Sequence, residues 1–137
     1  LFKTAYGLPP MENEKCICLL RKLIVSIREL ESDLMESSGC DLNQAMLLCV
    51  LSDNSLSASE IAVQIGILPA QNSKLLSAAE DKGWVERHLG HDDKRKIYFN
   101  LTDEGKQQLK MFKALQLNVP DFIRPLFDSV SNKTDSH

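Results

Sequence analysis

Between residues 16 and 34, apolar side chains return every three or four positions: Cys16, Leu20, Leu23, Ile27, Leu30 and Leu34. That spacing is the stripe of a long amphipathic helix, because 3.6 residues complete one turn. Ile17, Leu19 and Ile24 widen the stripe beyond what one partner face needs, so the helix is expected to pack both on its own domain and on a second chain. "SSGC" at 37–40 ends it through Gly39. Asp41 or Asn43 can cap a second helix, "QAMLLCVL", after which "SDNS" breaks the pattern. "SASE" at 57–60 has the form of a capping box, in which Ser57 accepts the Glu60 amide and Glu60 reaches back. A short third helix follows with Ile61, Ala62 and Ile65 facing inward, closed by Gly66.

Pro69 suits the first turn of the next helix. Leu75, Leu76 and Ala79 mark its buried face, which turns Ala70, Gln71, Ser73, Lys74 and Ser77 outward and Asn72 inward; Gly83 stops it. The period then changes to two. In "KIYFNL", Ile97, Phe99 and Leu101 alternate with polar or amphipathic residues, as in a half-buried strand, and "WVERHL" supplies its partner. Gly90 to Asp93 is the expected hairpin loop, with His88 and His91 as exposed loop residues. Thr102 caps a helix that runs through Leu109, Phe112 and Leu115, with Asp103 and Glu104 favourably placed in its first turn. Residues 117–130 are apolar but carry Pro120 and Pro125, so a short or interrupted helix is expected there. The layout is an N-terminal arm over 1–11, dimerisation helices over 12–36 and 102–131, a lobe over 42–101, and a solvated tail over 132–137.

The totals narrow the class. A chain of 137 residues fits one domain of ordinary size, and 43% apolar with 26% charged residues is a globular composition. No apolar run approaches the ~18 residues of a membrane span, and "LFKTAYGLPP" has no stretch of the signal-peptide kind, so a cytoplasmic protein without a membrane partner is expected. Cys16, Cys18, Cys40 and Cys49 lack metal-ligand spacing; reduced thiols and no metal or cofactor follow. No nucleophile–base pair and no Gly-rich phosphate loop is visible, which argues against an enzyme. Net charge is −3, so the whole surface does not attract polyanions, yet residues 82–96 carry a local net charge of +2.

Helix, helix, short helix, tight turn, outward-polar helix and basic-tipped hairpin make a helix-turn-helix followed by a wing. The expected fold is therefore mainly α with a small β-hairpin wing, dimerised through its N- and C-terminal helices. Here "KGWVER", the "DxR" of Asp93 and Arg95, and "LTDEG" at 101–105 carry a resemblance. At this spacing they resemble the DNA-binding core of the MarR (multiple-antibiotic-resistance regulator) family, over residues 42 to about 112. The chain departs from the family at Asn72, where a Val-like residue is usual, and at Pro125, which shortens the closing helix.

The resemblance implies a homodimer on a pseudo-palindromic operator, usually a repressor, with Arg95 reaching into the minor groove and Asp93 holding it. Lys94, Lys96, Arg87 and His91 complete the wing set. For the recognition helix the outward residues are Gln71, Ser73, Lys74 and Ser77, types that pair with base edges or phosphates. Ser57 and Ser59, near a helix start, are candidate phosphate contacts. The resemblance further implies a small apolar or aromatic effector that releases DNA, or redox sensing through Cys16 and Cys18. An alternative from another class is a winged-helix module that binds a protein and not DNA; the acidic total and the lone cation of the recognition helix motivate it.

Overall fold

The computed structural model describes residues 12–128, so the proposed arm at 1–11, the tail at 132–137 and the last residues of 102–131 lie outside it. The chain divides into two units, a lobe over Leu34–Gln116 and a terminal unit formed by Leu1–Asp33 with Leu117–His137.

The lobe begins within the long helix α1 (Asn13–Ser38), which stops where Gly39 adopts a left-handed φ of 74°. Helix α2 (Leu42–Val50) is capped by Asp41, not Asn43. The choice is physical: Gln44 lies three residues after Asp41, and the two side chains each bond the other's amide, at 2.8 and 3.0 Å. Leu47 and Leu48 of α2 are fully buried. Helix α3 (Ala58–Ile65) starts at the expected Ser57–Glu60 box, with both bonds at 3.3 Å, and ends at left-handed Gly66. Helix α4 (Pro69–Asp81) opens with its proline, whose missing N–H costs nothing in the first turn. Leu75, Leu76, Ala79 and the polar Asn72 form its buried side.

Strand β1 (Leu56–Ser57) escapes the sequence pattern because two residues are too few to show a period. It pairs with β3 (Ile97–Leu101), which also pairs antiparallel with β2 (Val85–Leu89), giving a three-stranded sheet in the order β1-β3-β2. The register sets Val85 opposite Leu101, Arg87 opposite Phe99 and Leu89 opposite Ile97. Facing residues share one side of the sheet, so these three pairs run along one face. The expected alternation holds for Phe99 and Leu101, which are buried, and fails at Ile97, which is 42% exposed. Ile97 sits at the far end of the hairpin, beyond the layer of helices that covers the others. The loop is also longer than residues 90–93. It runs to Lys96, where the Gly90 amide donates to the Lys96 carbonyl (2.9 Å) and the Lys96 amide to the Asp93 carbonyl (3.1 Å).

Helix α5 (Asp103–Ala114) is capped by Thr102, whose Oγ1 accepts the Gly105 amide at 3.0 Å and donates to the Gly83 carbonyl at 2.5 Å. Leu47, Leu48, Ile61, Leu76, Phe99, Leu101 and Leu109 belong to one core that joins α2, α3, α4, α5 and the sheet.

After α5, residues 115–120 have no regular structure; in the terminal unit 121–123 form a turn and 124–128 are helical, which is the interrupted helix the prolines implied. Ile123 is buried, and the Asn118 amide donates to the Asp33 carboxylate at 2.8 Å. Much of the apolar stripe of α1 remains uncovered: Ile17 is 65% exposed and Leu20 50%. Among the described residues no helix is long and apolar enough to cross a membrane.

A Cβ at Gly105 would collide with the carbonyl of Trp84, which lies at the base of the hairpin. Gly105→Ala should therefore destabilise the lobe by about 1–3 kcal/mol, the usual cost of overpacking. Urea unfolding checks this; an unchanged midpoint would show that the contact is not tight.

Candidate nucleic-acid interface

Two surfaces of the lobe carry the residues singled out by sequence. On α4, Gln71, Ser73, Lys74 and Ser77 are all exposed, on the side opposite Leu75, Leu76 and Ala79. Two of them also have local duties. Gln71 Oε1 accepts the Leu68 amide at 3.3 Å, and Ser73 Oγ donates to the Pro69 carbonyl at 3.1 Å. The Gln71 amide nitrogen remains as the group able to donate to an acceptor on a base edge.

Asn72 faces inward as its periodicity requires. Its Nδ2 donates to the Ala58 carbonyl at 2.8 Å, tying α4 to the first turn of α3. Its Oδ1 is buried with no partner among the described residues. Such an acceptor costs on the order of 1–3 kcal/mol, so the tie is held at some expense to the lobe. Ser57 Oγ caps α3 and lies 3.3 Å from Ser59 Oγ, so the two hydroxyls form one patch at the start of that helix.

At the wing tip, Asp93 grips Arg95 three times. Its Oδ1 accepts the Arg95 amide at 3.0 Å and Nε at 3.1 Å, and Oδ2 accepts Nη2 at 3.4 Å. The Arg95 side chain is still 92% exposed. Its guanidinium is thus fixed at one edge and open to solvent elsewhere. The Arg95 side-chain bonds, then the backbone bond, hold the Asp93 carboxyl below the usual aspartate range against the opposing effect of burial, with a lesser contribution from the charge of Lys96. Lys94, Lys96 and His91 are exposed beside it. Gly90 lets the loop close, since a Cβ there would meet the Asp93 carbonyl and the Tyr98 ring, each at 2.8 Å. His88 is not a loop residue: it lies on β2, half-buried, with its ring stacked 6.1 Å from that of Tyr98.

Arg87 sits apart from that cluster. It makes a two-pronged ion pair with Glu80, Nη2 to Oε1 at 2.6 Å and Nε to Oε2 at 2.9 Å, and its guanidinium lies over the Phe99 ring. The bond to Arg87 lowers the Glu80 pKa, while partial burial opposes it. Sequence reasoning missed Glu80. The available signal was parity: Arg87 has the same strand parity as buried Val85, and so faces the helix layer.

In the terminal unit Cys16 is half-buried and lines an apolar groove of about 460 Å³ with Leu20, Leu23, Phe122 and Leu126. Cys18 is exposed, Cys40 is buried, and Cys49 is exposed. Among the described residues no three side chains of metal-ligating type are grouped.

Helix α3, the turn at Gly66, helix α4 and the β2–β3 hairpin together form a winged helix-turn-helix. No family model matches the chain. The HTH-type transcriptional repressor YetL of Bacillus subtilis is 39% identical over 67 residues, covering 49% of this chain and 40% of that protein. The transcriptional repressor MprA of Escherichia coli is 24% identical over 98 residues, covering 69% of this chain and 53% of that protein. The chain thus spans about half, or less, of the length of the curated relatives it matches. Among solved structures, CouR from Rhodococcus jostii bound to p-coumaroyl-CoA has a TM-score of 0.66 at 20% identity, covering 90% of this chain and 88% of that one. A mutant of E. coli MarR complexed with operator DNA gives 0.59 at 22% identity, covering 74% and 76%. At such identities these two show the fold; with the sequence relatives, they make the chain resemble MarR-family regulators.

The Asp93 grip has a pH consequence. A carboxylate with a depressed pKa contributes stability that is present at neutral pH and is lost as pH falls through the folded-state value. Following the Asp93 carboxyl by NMR should give a midpoint below that of a free aspartate, moving upward in Arg95→Ala. A midpoint that ignores this substitution would mean the contact does not persist in solution.

Proposed function

We propose that this chain is a sequence-specific DNA-binding transcription regulator of the MarR type, acting as a homodimeric repressor on a pseudo-palindromic operator. The observation that carries the reading is the fixed, exposed Arg95 guanidinium, borne by the same lobe as the outward polar face of α4. Lys94 and Lys96 contact backbone phosphates beside it; Gln71, Ser73, Lys74 and Ser77 enter the major groove; Ser57 and Ser59 bind a phosphate. An arginine held by a carboxylate is pre-oriented, so less conformational entropy is lost when it enters a narrow A·T-rich minor groove.

Support comes from three sides. Two sequence relatives, YetL and MprA, are transcriptional repressors, and one of the structural neighbours is in complex with operator DNA. The exposed stripe of α1, including Ile17, Leu20 and Ile24, is surface that a second copy would remove from water. Two copies related by a twofold axis would present two α4 helices, which must lie about 34 Å apart to read successive turns of one duplex face. A small apolar or aromatic effector that changes this separation would release the DNA; CouR was solved with an aromatic acyl-CoA.

A second reading, a winged-helix module for a protein partner, draws on one observation: Lys74 is the sole cation on the outward face of α4, in a chain of net charge −3. Duplex titrations over a range of salt separate the two. DNA binding requires affinity that falls steeply with salt, in proportion to the phosphates contacted. Arg95→Ala should weaken binding to a duplex selected from random sequences by about 1–3 kcal/mol. Salt-insensitive or undetectable binding to every duplex would favour the protein-binding module.

A further inference from the structure

Glu80 lies outside every DNA-facing set named above, yet it occupies the junction between the two reading surfaces. It stands on the last turn of α4, and Arg87 stands in the middle of β2. Their two-pronged contact, at 2.6 and 2.9 Å, fixes an angle as well as a distance, because a planar guanidinium matches a carboxylate in one plane. The guanidinium centre is also 5.3 Å from the centroid of Phe99, a buried residue of β3. One cation therefore ties the helix to both strands of the wing. The covalent link between α4 and β2 is short and turns at Gly83, whose φ is +77°.

We propose that Glu80 and Arg87 form a clasp that sets the pitch of the wing against the recognition helix, which makes Glu80 a specificity-determining positioning residue that touches no nucleic acid. Its effect on specificity rests on the DNA-binding reading above; the clasp itself does not. From the level of Arg87 the strand rises roughly 7 Å to its end at Leu89, so a tilt of about 10° would carry that end sideways by about 1 Å. That exceeds the tolerance of a hydrogen bond. A wing that tilts while α4 stays in its groove would lose Arg95 contacts at the operator, whereas non-specific phosphate attraction would survive.

The opposite assignment, Arg87 as a direct phosphate contact with Glu80 as its competitor, predicts the opposite sign. Glu80→Gln would then free a cation, delete an anion and tighten binding. The clasp predicts weaker binding to the selected duplex.

The test uses the full chain as wild type, Glu80→Gln, Arg87→Lys, and the charge-exchanged double variant Glu80→Arg with Arg87→Glu. Hydrogen exchange without DNA should show residues 85–101 exchanging several-fold faster in both single variants, with α2 and α3 unchanged. Affinity for a duplex selected from random sequences, divided by affinity for its scrambled form, should fall roughly tenfold in Glu80→Gln, the effect of losing one arginine contact. The double variant should recover part of that ratio, which lost folding could not explain. An unchanged or higher ratio in Glu80→Gln overturns the positioning role. Unchanged hairpin exchange overturns the clasp. If the wild type prefers no duplex, the DNA-binding reading fails and the specificity role falls with it, while the exchange data still judge the clasp.

Discussion

The lobe depends on how the base of its hairpin is fastened. Thr102 joins three elements there: its hydroxyl donates to the Gly83 carbonyl at the end of α4 and accepts the Gly105 amide at the start of α5. Its own amide donates to the Trp84 carbonyl at 2.9 Å. Gly105 has no side chain, so the Trp84 carbonyl can approach α5 more closely than any other residue would permit. Once this junction is formed, Val85 must lie opposite Leu101 and every later pair follows in register. The wing is thus aimed from its root, by backbone contacts that demand a threonine, two glycines and nothing from the tip.

What the tip carries is a different kind of design. The chain is acidic, with a net charge of −3, but charge acts locally, within about a Debye length. Asp93 subtracts a charge from the tip and returns geometry, since it holds Arg95 by both backbone and side chain. Glu80 does the same for Arg87 one layer closer to the core. In each case a carboxylate converts a long, mobile cation into a directed one. The two arginines of the wing then point different ways, Arg95 toward solvent at the end of the hairpin and Arg87 toward the helix layer.

Most of the helices could be read directly. The caps at Asp41, Ser57 and Thr102 are local, made within three residues of sequence, and the glycines at 39, 66 and 83 mark turns that need left-handed backbone. The outward face of α4 was legible for the same reason, being set by one helix period, whereas the Asp93–Arg95 contact was expected only through the resemblance to the MarR family. β1 was not, because its two residues are a strand only through pairing with β3. Nor was Ile97, whose pattern says buried while its place at the end of the hairpin leaves it 42% exposed. The partner of Asn72 was equally hidden, since the Ala58 carbonyl lies on another helix.

By itself, then, the order of residues determined the helices, their caps, the alternation of the two hairpin strands and the types of side chain gathered at the tip, all consequences of forces that act within a turn or two of chain. Only the tertiary structure decided which charges are spent and which are free. Glu80 and Arg87 lie on different elements, seven residues apart, and meet because Gly83 folds the strand back under the helix. A pairing between elements depends on their relative placement, and that is set by the packing of the shared core and by no local spacing.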